Sequence, residues 1–263
     1  MADTLKHIGI FGASGRIGKL LIEEISKESD LGIGSVFARD DIQSLKAQNL
    51  PLAKDINEFL QNSQCVIDFS SNAGTYALLQ QALDTKTHIP MVIGSTGLDS
   101  TTSELMQRAS EQFPILYASN MSRGVAILNK ISALVASSLS ESDIEIVEIH
   151  HHHKKDAPSG TALSLAQSCA KARGLSLDKV RISGRNGDIG ARSKDEIGVM
   201  SLRGGDIAGR HTVGFYVDGE YLELTHNATS RLTFAKGAIV ALKWLATQKR
   251  DNKLYGVNDF LKL

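Results

Sequence analysis

The stretch Ile8-Gly9-Ile10-Phe11-Gly12-Ala13-Ser14-Gly15-Arg16-Ile17-Gly18 constrains the fold of this chain more than any other. Lys6 to Phe11 is a short apolar run ended by glycine, and Gly15 to Lys27 then carries Ile17, Leu20, Leu21 and Ile25 at helical spacing. Strand, tight turn and helix therefore follow one another without a spacer. In that frame the absence of a Cβ at Gly12, Gly15 and Gly18 tightens the turn, brings backbone N–H groups against a pyrophosphate and lets the helix approach the sheet. The stretch reads as a dinucleotide-binding turn with Gly12, Ala13, Ser14, Gly15, Arg16 and Ile17 as cofactor contacts, against the plainer reading of a tight structural turn.

The next hundred residues repeat the alternation. Leu31 to Ala38, Cys65 to Phe69, Ile89 to Ile93 and Pro114 to Tyr117 are strand-like, and Gly74 to Leu83 and Thr101 to Gln112 helix-like. Short buried strands alternating with helices predict βαβ units and a parallel sheet covered on both faces. After Asn120 the pattern changes. Val125, Leu128, Ile131, Val135 and Leu139 form the stripe of a long helix, followed by a strand from Ile144 to about His152 and a helix from about Ser159 to Ala172. Ser176 to Ile197 is polar and rich in Gly and Arg, and reads as loop or irregular strand. His211 to Val217 and Glu220 to His226 form a hairpin at Asp218-Gly219, for which a type I′ turn is expected. Phe234, Ala238, Leu242 and Leu245 form a last helical stripe. The prediction is α/β: a Rossmann-like parallel sheet domain, then an α+β domain with a mostly antiparallel sheet. The boundary falls near residues 119–123, and periodicity leaves open where the last helix packs.

A hydrophobic fraction of 42% and a charged fraction of 22% place the chain among soluble globular proteins. With 29 basic and 29 acidic residues there is no bulk field to recruit nucleic acid or a membrane surface, so neither is expected as a partner. Cys65 and Cys169 read as reduced, packed thiols. The N-terminal residues lack an apolar signal core and no run is long enough to span a bilayer, so a cytoplasmic location is expected.

The end of the second strand should read the adenosine ribose, with an acid for NADH or an arginine for the 2′-phosphate of NADPH. Arg39 lies 21 residues beyond Gly18, and with Arg16 it favours NADPH; Asp40 and Asp41 are the competing candidates for a ribose diol. Gly94-Ser95-Thr96-Gly97 and Ala118-Ser119-Asn120-Met121 lie at later strand ends, where small residues let backbone groups approach a nicotinamide ring and its ribose, or simply form turns.

Glu148 to Thr161 packs four imidazoles and two ammonium groups in front of a helix start: His150-His151-His152-His153-Lys154-Lys155, then Asp156-Ala157-Pro158-Ser159-Gly160-Thr161. On a strand, His150 and His152 would share one face and His151 and His153 the other, which divides any set of metal ligands; no metal is expected. A histidine titrates near neutrality and suits a general acid, a nearby lysine supplies charge for a carboxylate, and the N–H groups of a helix start suit a second carboxylate. Which of the adjacent histidines donates the proton stays open on this reading.

Taken together, these residues resemble the dihydrodipicolinate reductase family. The resemblance runs over nearly the whole chain: the glycine turn, Asp68-Phe69-Ser70, Gly94 to Gly97, Ala118 to Met121, Glu148 to Thr161, Gly205 to His211, and Ser230 to Ala235. The run His-His-x-His-Lys-x-Asp-Ala-Pro-Ser-Gly-Thr is the most specific part. It implies NAD(P)H-dependent reduction of 4-hydroxy-tetrahydrodipicolinate, with NADPH or NADH delivering hydride as the cyclic substrate loses water. It further implies His150 as general acid with Lys154 as the second catalytic group, and His151, Lys154, Ser159, Gly160 and Thr161 holding the two carboxylates. A tetramer-forming substrate domain at 122–231 and a dinucleotide domain at 1–121 and 232–263, completed by the returning C-terminal helix, are implied too. Ala38 stands where members that use NADH well often carry an acid, which tilts the expectation to NADPH. A reductase of another imine or carbonyl acid, or a silent NADPH-binding sensor, are the rival readings.

Overall fold

A computed structural model of the chain describes residues 5–246 and 250–261. Residues 1–4, 247–249, 262 and 263 of the expected dinucleotide domain lie outside the described residues. The chain divides into two compact units, Met1–Ser122 with Leu232–Lys262, and Arg123–Arg231. Among the described residues no helix is long and apolar enough to cross a membrane.

The first unit opens with β1 (Leu5–Phe11), α1 (Arg16–Lys27), β2 (Leu31–Phe37), α2 (Ile42–Ala47), α3 (Ile56–Gln61) and β3 (Cys65–Asp68). It continues with α4 (Asn72–Asp84), β4 (Met91–Ile93), α5 (Ser100–Ser110) and β5 (Ile115–Tyr117). The strands are short and apolar because both their faces are covered, with Ile8, Ile10, Val66, Ile67, Val92 and Ile93 fully buried. Polar side chains start most of the helices: Asp55 accepts the N–H of Glu58, Ser71 that of Gly74, and Asp99 that of Thr102. α1 differs, because its N-cap is Gly15 and no side chain caps it. α2 and α3 were not expected from the sequence; at six residues each they are too short to show a period.

The second unit comprises α6 (Arg123–Ser138), β6 (Asp143–His150), α7 (Gly160–Ala172), α8 (Leu177–Val180), β7 (Arg181–Ile182), β8 (Ile197–Arg203), β9 (Gly209–Val217) and β10 (Glu220–Ala228). Its sheet order is β10-β9-β6-β8-β7. β9 runs antiparallel to β6 and β10, and β8 parallel to β6 and β7. Along β6, Ile144, Ile146, Glu148 and His150 point to the buried face. Ile144 and Ile146 share a core there with Leu128 of α6 and Leu165 and Cys169 of α7. The Arg173 guanidinium closes the C-terminal end of α6 by donating to the carbonyls of Ala136, Leu139 and Ser142.

Four expectations change here. The strand expected to reach His152 stops at His150, so the four histidines do not alternate across a sheet. Ile131, placed on the apolar stripe of α6, is 40% exposed, and the small residues Ser132 and Ala136 are buried against α7 instead. The segment 176–197 is not all loop, since it holds α8 and β7, and β8 follows it. The hairpin has its two-residue connection, but positive φ falls on Gly219 alone (+90°), which is not the type I′ geometry.

The chain then returns to the first unit with α9 (Leu232–Ala246), β11 (Leu254–Tyr255) and α10 (Val257–Leu261). The completed parallel sheet reads β11-β5-β4-β3-β1-β2, and the strand order reverses beside β1, where open α/β sheets bind ligands. Ala235, Ala238, Leu242 and Leu245 of α9 join Leu21, Ile22 and Ile25 of α1 in one core. Gly237 lets α9 come close: a Cβ there would lie 1.8 Å from the Met121 carbonyl oxygen. Cys65 and Cys169 are buried free thiols, pushed up to about 12 by burial.

Candidate active site

The glycine turn is built by backbone bonds. The N–H groups of Gly12 and Ala13 both donate to Phe37 O (2.9 and 3.0 Å), and Gly15 N–H donates to Gly12 O (3.0 Å). Gly12 has a φ of +83°, and a Cβ on it would lie 2.6 Å from Phe69 O. A Cβ on Gly18 would lie 2.3 Å from Gly12 O, so the helix can start this close to the strand only with glycine. Because Gly15 offers no side-chain cap, the first-turn N–H groups of α1 keep their donors for an anion. These residues fit a dinucleotide pyrophosphate.

Asp68 joins the loops at the ends of β3 and β4. It is completely buried, and accepts from Ser70 N (2.8 Å), Thr75 Oγ1 (2.5 Å) and Ser95 Oγ (3.1 Å). Burial pushes its carboxyl above the usual range, against the pull of these donors. The Ser95 hydroxyl is thereby committed to Asp68 and Ser70, leaving Thr96 and Gly97 exposed beyond it. In the later loop Ser119 is exposed, Asn120 accepts Ser122 N–H, and the Met121 side chain belongs to the core.

Arg39 follows β2 and is exposed, as is Arg16 at the first position of α1; neither has an ion-pair partner among the described residues. Asp41 takes the left-handed conformation (φ 53°) and pairs with Lys19 at 2.9 Å. That pairing takes up one of the two acids weighed for the ribose and leaves both arginines open.

In the second unit the histidine run leaves the sheet at His150. Gly204 N–H donates to His150 O (2.9 Å), His151 N–H to Ile207 O (2.8 Å) and His152 N–H to Gly205 O (3.2 Å). These bonds fold residues 151–154 over the turn that follows β8. His152 and His153 are exposed, with ring centroids 3.9 Å apart. His151 Nε2 lies 3.3 Å from Arg231 Nη2, and since a guanidinium only donates, the ring accepts. Lys154 Nζ lies 2.8 Å from Asp156 Oδ1.

His150 is 9% exposed, and its Nδ1 lies 2.5 Å from Glu148 Oε2. Glu148 has no solvent exposure. It also accepts from Arg203 Nη1 (3.0 Å to Oε2), Arg203 Nη2 (2.8 Å to Oε1) and Ser159 N (3.1 Å to Oε1). Burial opposes its ionisation, but the Arg203 fork and then the His150 ring hold its pKa down to about 2. Burial lowers the pKa of His150, with Lys154 and Arg203 adding to it and Glu148 opposing. Ser159 caps α7 by accepting Ala162 N–H, and a Cβ at Gly160 would meet nothing within 4 Å, so open space lies over this helix start.

The structure thus gathers His150, His151, Lys154, Ser159, Gly160 and Thr161 in one unit, around residues that the sequence reading passed over. Glu148 was legible, since it shares the strand face of His150 two residues on. Arg203 comes from β8, far along the chain and with no local signal, and His211 from β9, where it ends the motif Gly205 to His211 that carries part of the resemblance.

A dinucleotide turn in one unit, and a buried imidazole beside an open helix start in the other, define a two-domain nicotinamide-dependent oxidoreductase. Residues 6–121 match the sequence profile of "Dihydrodipicolinate reductase, N-terminus" and residues 124–261 that of "Dihydrodipicolinate reductase, C-terminus". The chain belongs to the dihydrodipicolinate reductase family. It is 62% identical to the 4-hydroxy-tetrahydrodipicolinate reductase of Helicobacter hepaticus, over 97% of this chain and 99% of that one. It is 55% identical to that of Wolinella succinogenes, over 98% and 99%. Among solved structures, dipicolinate-bound dihydrodipicolinate reductase from Paenisporosarcina sp. TG-14 shares the fold with a TM-score of 0.76 at 20% identity, over 97% of this chain and 99% of that one.

Proposed function

We propose that this chain reduces 4-hydroxy-tetrahydrodipicolinate with NADPH as the preferred hydride donor, His150 as general acid and Lys154 as the second catalytic group. The reaction is an oxidoreductase step of lysine and diaminopimelate biosynthesis, yielding tetrahydrodipicolinate. The observation that carries the residue roles is that one buried carboxylate, Glu148, accepts from both His150 Nδ1 and Ser159 N–H. The proton donor and the substrate cradle are therefore fixed to the same point.

The bound nicotinamide supplies the hydride. The chain's own residues do the rest. Gly12 to Ile17 hold the pyrophosphate on the first turn of α1, and Arg16 and Arg39 meet the 2′-phosphate that distinguishes NADPH from NADH. Gly94 to Thr96 and Ala118 to Asn120 present backbone groups to the nicotinamide half, and Met121 supports that loop from the core. One substrate carboxylate takes the N–H groups of Gly160 and Thr161 and the hydroxyls of Ser159 and Thr161, the Ser159 N–H being given to Glu148. The other takes His151 and Lys154, whose ammonium exchanges Asp156 for it. His150 then donates from Nε2 the proton that balances the hydride, as the substrate's hydroxyl leaves as water.

We place the enzyme in the cytoplasm as a homotetramer built on the second unit, whose sheet leaves Leu202, Tyr221 and Leu222 exposed; sedimentation of the purified protein gives its mass directly. The catalytic test generates substrate in place from pyruvate and aspartate semialdehyde with the preceding synthase. It then follows loss of nicotinamide absorbance with NADPH and, separately, NADH. Synthase-dependent oxidation, faster with NADPH, is the expected result. Folded protein that binds NADPH yet oxidises neither cofactor overturns the reading.

A further inference from the structure

We infer that Glu148, clamped by Arg203, is the positioning residue through which His150 acts, fixing which ring nitrogen exchanges the proton. This rests on the reading of His150 as the general acid.

The carboxylate has no contact with solvent and four donors on its two oxygens, from three different elements of the fold. An ionised carboxylate only accepts, so His150 Nδ1 carries hydrogen in every protonation state and Nε2 alone is left to exchange. Nε2 faces Gly209, where a Cβ would come within 3.1 Å of it, so the working nitrogen lies against a position kept bare. The Arg203 fork alone would be enough to tie β6 to β8. The His150 bond, at 2.5 Å, is nonetheless the shortest of the four, and Ser159 N–H extends the same anchor to the start of α7. Arg203 Nη2 also holds the Asp156 carbonyl at 2.5 Å, which secures the segment carrying Lys154.

The charges facing His150 are Glu148 on its own strand, Arg203 on β8, Lys154 on the segment that follows, and neutral His211 on β9. Glu148 is the one anion among them. Glu148→Gln removes it and, because Arg203 draws the amide oxygen, turns the amide N–H₂ towards Nδ1, forcing hydrogen onto Nε2 of the neutral ring. Arg203→Gln has the opposite effect, leaving the carboxylate to His150 with less competition.

The test is the pH profile of kcat in the intact enzyme, with the tautomer of the His150 ring read by ¹⁵N NMR. A general acid is lost as pH rises through its pKa. Glu148→Gln is expected to move that alkaline limb down by about one pH unit and to lower kcat at neutral pH by ~10-fold or more. The ring signal should shift from the Nδ1–H to the Nε2–H form. Arg203→Gln should move the limb up. A limb and tautomer unchanged in Glu148→Gln overturn the inference. Should that variant not fold, an unmoved limb in Arg203→Gln does so. His150→Gln, run alongside, separates the two ideas: full turnover there removes the acid itself, whereas its loss beside an unchanged Glu148→Gln profile removes only the role given to Glu148.

Discussion

Ser159 Oγ stands 3.1 Å from His211 Nε2 while accepting the N–H of Ala162 at 3.2 Å. The hydroxyl has one proton and two lone pairs, so it accepts from Ala162 and still shares a hydrogen bond with Nε2, while His211 Nδ1 has no hydrogen-bond partner among the described residues. Burial first, and then the neighbouring His150, lower its pKa to about 4. The two rings meet edge to face at 5.1 Å between centroids, so a protonated His150 has a neutral neighbour at its side.

That pair gives stability a pH dependence. In the unfolded chain His211 titrates at its ordinary 6.5, and in the folded protein at about 4. The unfolded state therefore binds more protons between these values. The stabilisation is complete above 6.5 and is lost as pH falls towards 4. The full span is on the order of 3 kcal/mol. His211→Asn is expected to flatten this part of the profile, measured as the urea midpoint at a series of pH values for both proteins. A wild-type slope in the variant would assign the acid sensitivity to other groups.

Replacing His150 with Gln is expected to lower kcat by ~10²–10⁴-fold, the range for a lost general acid. NADPH affinity should change little, because the glycine turn belongs to the other unit. Steady-state rates and nucleotide fluorescence titration on the same preparation separate the two effects. Turnover within a factor of about two of wild type would remove the acid role.

Cofactor choice turns on Arg39. With Asp41 paired to Lys19, Arg39→Ala is expected to raise the KM for NADPH by ~10-fold or more and to leave that for NADH nearly unchanged, since only the 2′-phosphate loses a charged partner. An equal loss for both would mean that Arg39 supports the turn or the pyrophosphate.

The first unit was legible in the sequence because its constraint is local. Gly12 and Gly18 have backbone oxygens where a Cβ would go, so the glycine spacing encodes the geometry directly. The family motif from Glu148 to Thr161 likewise marks the segment that carries His150 and Ser159. Its shape was not legible, because the bonds that end β6 at His150 come from Gly204, Gly205 and Ile207, more than fifty residues on. Arg203 was hidden for the same reason. Ile197 to Arg203 shows no alternation, since Ile197, Gly198 and Val199 are all buried, and its parallel partner is remote in sequence. Glu148 was readable and overlooked: the two-residue period Ile144, Ile146, Glu148, His150 runs from core into site on one face.

Gly209 offers the sharpest steric test of where His150 works. Its φ is not positive, so alanine is compatible with the backbone there. The new methyl would stand 3.1 Å from His150 Nε2, 3.5 Å from its Cδ2 and 3.7 Å from His211 Cε1, closer to Nε2 than ordinary contact allows. The ring cannot simply tip away, because Glu148 holds Nδ1 at 2.5 Å. A displacement of a few tenths of an ångström at Nε2 misaligns a proton transfer more than it disturbs packing. Gly209→Ala is therefore expected to lower kcat by ~10- to 100-fold. Unfolding free energy should change by less than about 1 kcal/mol. The KM for NADPH should hold, and kinetics beside a denaturation curve measure all three. Wild-type kcat in a folded Gly209→Ala protein would show that the proton does not leave from Nε2, and the donor would then have to be sought at Lys154 or His151.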